Sequence, residues 1–103
     1  MKVDFDAVIK DLDGVPMSDA RTAAGDGRLL TLKTVCVNGL LATETDKNIP
    51  GQQKLARFRL AEQINAGGEQ NLSAEDVALI KERVGAFYVT LVVGRAFGLL
   101  DGS

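Results

Sequence analysis

The stretch FDAVIKDLDGVPMSDA, Phe5 to Ala20, decides how the chain begins. Upstream and into it, apolar residues fall at Val3, Phe5, Ala7 and Ile9, with charges at Lys2, Asp4, Asp6 and Lys10. This period of two marks a half-buried strand over residues 2–10. Asp-Leu-Asp-Gly then interrupts it, and Asp-Gly is a strong reversal signal because glycine accepts the positive φ that other side chains resist. A short return strand at Val15–Met17 is predicted to run antiparallel, with Pro16 restricting it to an edge. The expected start is therefore a β-hairpin.

The same residues resemble the opening motif of haloacid-dehalogenase-like phosphatases. In that superfamily an apolar strand ends in D-x-D-G and its first aspartate, Asp11 in this chain, attacks phosphorus. The resemblance covers only this motif and departs from it locally. Lys10 stands where the superfamily keeps a hydrophobic residue, and Pro16 interrupts the segment after Asp13. Such an enzyme also needs a parallel sheet whose successive strand ends supply a Thr or Ser, a Lys and an acid pair. No later segment has that form, and the adjacent acids Glu75 and Asp76 are those of a helix start. Asp11 and Asp13 are accordingly read as solvated turn residues, a poor magnesium site without further ligands.

Beyond a polar loop, SDARTAAGDGR, the pattern becomes helical. The first helix is predicted from Thr31, a hydroxyl N-cap, to about Ala42, with Leu32, Val35, Cys36, Gly39 and Leu40 on one face. After the polar linker TETDKNIPG, a second helix is expected from about Gln52 to Asn65 with Leu55, Phe58, Ala61 and Ile64 inward, stopped by Gly67 or Gly68. Ser73 caps the third helix, with Asp76 at the capping-box position and Leu72 placed to staple onto Val77. Its inward stripe is Val77, Ile80 and Val84, and Gly85 permits a kink or a stop. The last segment could be a strand on the strength of Tyr88, Val89, Thr90, Val92 and Val93. Tyr88, Leu91, Val92, Arg95, Ala96 and Leu99 nevertheless keep a 3.6-residue period, which predicts a fourth helix from about Phe87 to Leu100, closed by Asp101-Gly102. The predicted architecture is a single α+β domain over residues 1–103, an N-terminal β-hairpin followed by a bundle of about four helices. Its expected core is Phe5, Val35, Leu40, Phe58, Ile64, Ile80, Val84, Phe87 and Leu91.

Composition narrows the chemistry. The 103 residues are 46% hydrophobic and 25% charged, with a net charge of −2, values ordinary for a globular protein. No apolar run reaches membrane-spanning length, and acids in MKVDFDAV break up the apolar stretch a signal peptide needs, which points to the cytoplasm. The chain has no histidine, one cysteine and three serines. This removes Ser–His and Cys–His nucleophile systems and both histidine and thiolate zinc sites. Cys36 is read as buried filler. No cofactor is expected, and the chain is read as non-enzymatic.

Two clusters remain as candidate interaction sites. Lys54, Arg57 and Arg59 surround Phe58 and form the one local basic excess, but an acidic protein of pI about 5.0 lacks the broad positive face of a nucleic-acid domain. Gly94, Arg95 and Gly98 place two glycines four apart on one side of the last helix, allowing close approach of another backbone, in this chain or in a second subunit. Gly-Asp-Gly at 25–27 and Ala-Gly-Gly at 66–68 lack the strand-to-helix context of phosphate loops and are turns.

Taken together, DLDGVPM, LTLKTVCVNGLLA, QQKLARFRLAEQI, LSAEDVALIKERVG and LVVGRAFGLLDG resemble a group of small proteins encoded in tailed bacteriophages and prophages. The resemblance implies production in the cytoplasm of a bacterial host and carries no known active site. With the usual catalytic groups absent, the leading reading is a non-enzymatic phage protein acting through protein contacts, in virion or tail assembly or in modulating a host factor. A small nucleic-acid regulator using Lys54, Arg57 and Arg59 is the alternative, and a magnesium phosphatase fragment using Asp11 and Asp13 a more distant one. A homo-oligomer is compatible with all three, and membrane insertion with none.

Overall fold

Local capping chemistry sets most of the element boundaries. The computed structural model describes residues 2–18, 29–42 and 49–101. Helix α1 spans Leu32–Leu41, α2 Gly51–Asn65, α3 Ala74–Phe87 and α4 Thr90–Leu100. Strand β1, Lys2–Asp4, pairs antiparallel with β2, Glu69–Asn71, which lies between α2 and α3, with Val3 opposite Gln70. The fold is α+β: an N-terminal β-hairpin and four helices. The loop after Ser18, the linker after Ala42 and Gly102 lie outside the described residues.

The hairpin forms where Asp-Leu-Asp-Gly predicts it. Met17 N–H donates to the Ile9 carbonyl at 2.9 Å and Asp11 N–H to the Val15 carbonyl at 2.9 Å, with Gly14 at φ +81° in the reversal. Its arms are shorter than the predicted strand over residues 2–10. A turn at Phe5–Asp6 breaks that strand, because the Asp4 carboxylate accepts Asp6 N–H at 3.0 Å and the Asp4 carbonyl accepts Ala7 N–H at 3.3 Å. Aspartate competes with strand pairing in this way by offering its own backbone a local acceptor. The apolar alternation survives the break, since Val3, Phe5 and Ile9 are all buried. Beyond it, Ile9 N–H donates to the Leu30 carbonyl and Leu30 N–H to the Met17 carbonyl, joining the hairpin to the entry of α1.

Helix α1 is the centre of the core. Thr31 caps it by accepting Thr34 N–H, and Leu32, Val35, Cys36, Gly39 and Leu40 are all buried, as their spacing predicts. It packs on α2 and α3. At the α3 crossing a Cβ on Gly39 would sit 3.2 Å from the backbone nitrogen and the Cγ2 of Val84, a separation only glycine permits without displacement. Arg83, buried beside Val84, donates from Nε to the Gly39 carbonyl at 3.3 Å and from Nη2 to the Ala42 carbonyl at 2.9 Å. It thereby satisfies carbonyls at an α1 terminus that has no basic residue in its own last turn.

Ser73 caps α3 through Asp76 N–H at 3.1 Å, and Leu72 and Val77 are both buried beside that cap. Gly67 and Gly68 both adopt positive φ after α2. Two expectations are corrected. The buried face of α2 is Arg57, Leu60, Ala61 and Ile64, whereas Leu55 is 47% and Phe58 50% exposed. Once Leu60 joins Ala61 and Ile64 inside, the buried arc turns toward position 57, and the aliphatic stem of an arginine occupies the place foreseen for Phe58. The second correction concerns the last two helices. α3 continues past Gly85 to Phe87, and extended Tyr88 and Val89 separate it from α4. In α4 the fully buried positions are Val92, Ala96 and Leu100, so Phe87 and Leu91 are only half-buried and Arg95 faces outward. The break at Tyr88 is held by its hydroxyl, which accepts the Asn38 amide at 3.0 Å, and by edge-on packing against Phe87.

Two of the helical glycines, Gly39 and Gly94, make opposite predictions. Gly39→Ala lowers stability by about 1–2 kcal/mol, since overpacking against backbone outweighs the gain in helix propensity. Gly94→Ala, with nothing within 4 Å of the added carbon, raises it by roughly 0.5–1 kcal/mol. Urea midpoints of the two variants check both signs.

Candidate functional site

The Asp11–Val15 turn is closed by its own side chain. The Asp11 carboxylate accepts Asp13 N–H at 2.9 Å and Val15 N–H at 3.0 Å through the same oxygen. From across the molecule, Arg95 on α4 donates from Nε to the Lys10 carbonyl at 3.1 Å and from Nη2 to the Asp11 carbonyl at 2.7 Å. The Asp-Leu-Asp-Gly motif is thus a structural turn, braced inside by a carboxylate and outside by a guanidinium. Among the described residues the regular sheet has two antiparallel strands, not the parallel sheet that D-x-D-G chemistry needs. No group of three or more potential metal ligands occurs among those residues.

Fixing the turn against α4 creates a surface feature. Val8 and Lys10 on one side and Gly94, Arg95, Gly98 and Leu99 on the other enclose a groove of about 430 Å³. It continues past Arg95 and Gly94 into a second depression of about 530 Å³ flanked by Leu12, Thr90 and Leu91. Leu12, which lines this second part, is 83% exposed. Isolated exposed leucines are ordinary; Leu12 differs in bordering a concavity together with Leu91. A smaller depression of about 270 Å³ lies between α1 and α2, lined by Val37, Leu41, Phe58 and Ala61.

The candidate residues separate in the structure. Lys54 and Arg59 are exposed on α2, but Arg57 is buried at 8% exposure and belongs to the helix's inward face, so the three cations do not share one surface. Gly94, Arg95 and Gly98 do come together, along the groove. A Cβ on Gly94 would meet nothing within 4 Å, whereas one on Gly39 would press on Val84. Sequence reasoning missed Lys10 and Leu12 as partners of that cluster, because only the bonds from Arg95 reveal that the turn reaches α4. Cys36 is buried, and burial pushes its thiol up to about 12.

Compared with family models, curated proteins and solved structures, the chain finds no match. No helix among the described residues is long and apolar enough to cross a membrane.

Two predictions follow from the turn and the thiol. Asp11→Asn keeps an acceptor oxygen and leaves stability within about 0.5 kcal/mol, whereas Asp11→Ala loses about 1–2 kcal/mol with two amides unsatisfied. Thermal or urea unfolding of the pair measures the difference, and turnover of a generic phosphate ester is expected to be the same in the wild type and Asp11→Asn. Cys36 is protonated in the folded chain, so its contribution to stability is complete below pH 9.0 and is lost as pH rises from there toward 12. At pH 8 the thiol is accordingly expected to resist an aromatic disulfide reagent in buffer and to react in denaturant.

Proposed function

We propose that this chain is a non-enzymatic interaction protein of tailed-phage or prophage origin. It acts in the host cytoplasm through protein contacts, in virion or tail assembly or in modulation of a host factor. The observation that carries the reading is the pair of leucines, Leu12 at 83% exposure and the half-buried Leu91, lining the groove between the turn and α4. A folded chain gains nothing from leaving these in water, whereas a docked partner covers them. Two further points support it. The chain has no histidine, and the one motif that invites a catalytic reading spends its first aspartate on backbone amides. The phage origin rests on the motif resemblance noted above. The nucleic-acid alternative loses support because Arg57 is directed into the protein, leaving Lys54 and Arg59 as separated surface charges.

The expected outcome of affinity capture from infected or lysogenic cells, combined with mass measurement in solution, is a stoichiometric complex. A virion component in that complex favours assembly, and a host protein favours modulation. A chain that remains unaccompanied in such cells while binding duplex DNA in a steeply salt-dependent way contradicts the proposal.

A further inference from the structure

We infer that the groove between the Asp11–Val15 turn and α4 takes an acidic, apolar-anchored peptide segment of a partner protein. The inference rests on the protein-contact reading above and adds the chemistry of the occupant. The chain carries 14 acidic residues against 12 basic ones, yet among the described residues no acidic side chain lines either part of the groove, and Lys10 and Arg95 do. Asp6, Asp11 and Asp13 each adjoin a lining residue in sequence without lining the groove themselves, and the Asp11 carboxylate is engaged with the amides of its own turn. The described lining itself thus carries two basic residues and no acid, on a protein that is negative as a whole.

The guanidinium of Arg95 is held in place rather than free to rotate. Its Nε and Nη2 are fixed on the Lys10 and Asp11 carbonyls, which takes two of the five N–H groups an arginine has and sets the plane of the rest. A pre-oriented guanidinium loses little entropy on meeting a carboxylate, and planar pairing with carboxylates is what its geometry suits. Leu12 and Leu91 line the depression beside Arg95, so the occupant needs apolar side chains as well as an acid. At the floor, Gly94 presents backbone with nothing within 4 Å of where its Cβ would be, allowing a peptide main chain to lie close.

Other occupants fit less well. A neutral apolar segment would desolvate two cations without compensation, and a basic one would be repelled. Nucleic acid would satisfy the charges but not the leucines, and two cations are few for a polyanion.

The test selects yeast-displayed random dodecapeptides on the full chain, then titrates the enriched peptides, and a labelled oligothymidylate of about 20 nucleotides, against variants. Gly94→Glu and Gly94→Gln have nearly equal bulk and differ in charge, and the open surroundings of Gly94 leave the fold intact in both, which far-UV circular dichroism verifies. The expected result is enrichment of net-negative peptides containing large apolar residues. Their binding falls at least about tenfold in Gly94→Glu relative to Gly94→Gln, as like-charge juxtaposition requires. It also weakens severalfold in Leu12→Ser. Enriched peptides without an acidic excess, equal binding to the Glu and Gln variants, no enrichment at all, or preferential binding of the oligonucleotide each overturn the inference. The broader reading fails separately. A cellular complex that persists unchanged in Gly94→Glu moves the docking face elsewhere but leaves the protein-contact function standing, whereas absence of any complex removes both.

Discussion

The structure depends on how closely α1 can lie on α3. Their crossing is set by Gly39, whose missing side chain brings the two backbones to a distance that a single added carbon would contest. The same crossing places Arg83 beneath the end of α1, where its guanidinium bonds the Gly39 and Ala42 carbonyls. A buried cation without partners would cost several kcal/mol, so the charge is tolerable only because those carbonyls are aimed at it. Packing and polar satisfaction at this point reinforce one another. The terminus left short of partners by its own sequence is completed by the helix it must touch.

From α1 the arrangement extends outward in two directions. Its N-terminal end is joined to the hairpin through the bonds between Ile9, Met17 and Leu30, so the position of the Asp11–Val15 turn follows from the position of α1. At its other end Asn38 holds Tyr88, which fixes where α3 stops and α4 begins, and Lys81 ties the two helices again through Asp101 and the Phe97 ring. Arg95 on α4 then reaches the turn. The groove is thus a consequence of two independent routes out of the same central helix, and its walls come from segments more than eighty residues apart in sequence. Both walls are tied back to packed helices, an arrangement that would reduce the entropy lost on docking the proposed partner.

How much of this was legible in the sequence divides along the range of the interaction. Thr31, Ser73 and the Gly67–Gly68 stop were read correctly, because a cap or a positive φ is decided by a few adjacent residues. The reversal at Asp11–Gly14 was read correctly for the same reason. Phe58 was placed inside and lies half outside, because positions 57 and 58 are both one turn from Ala61 and only the neighbouring helices choose between them. The strand over residues 2–10 was overextended because alternation records which side chains are buried, and these stay buried even where Asp4 turns the chain. The groove was half legible. Gly94, Arg95 and Gly98 stood out by spacing, but Lys10 and Leu12 join them only through a contact with no local signature, and the basic trio on α2 dissolved once Arg57 turned inward.

The close seating of α1 on α3 is tested most directly by through-space proton contacts in solution. The account predicts strong nuclear Overhauser effects from the α-protons of Gly39 to the Val84 methyl groups, together with contacts between the Asn38 side-chain amide and the Tyr88 ring. Absence of the Gly39–Val84 contacts in a well-dispersed spectrum, with α1 protons instead meeting another face of α3, would contradict it.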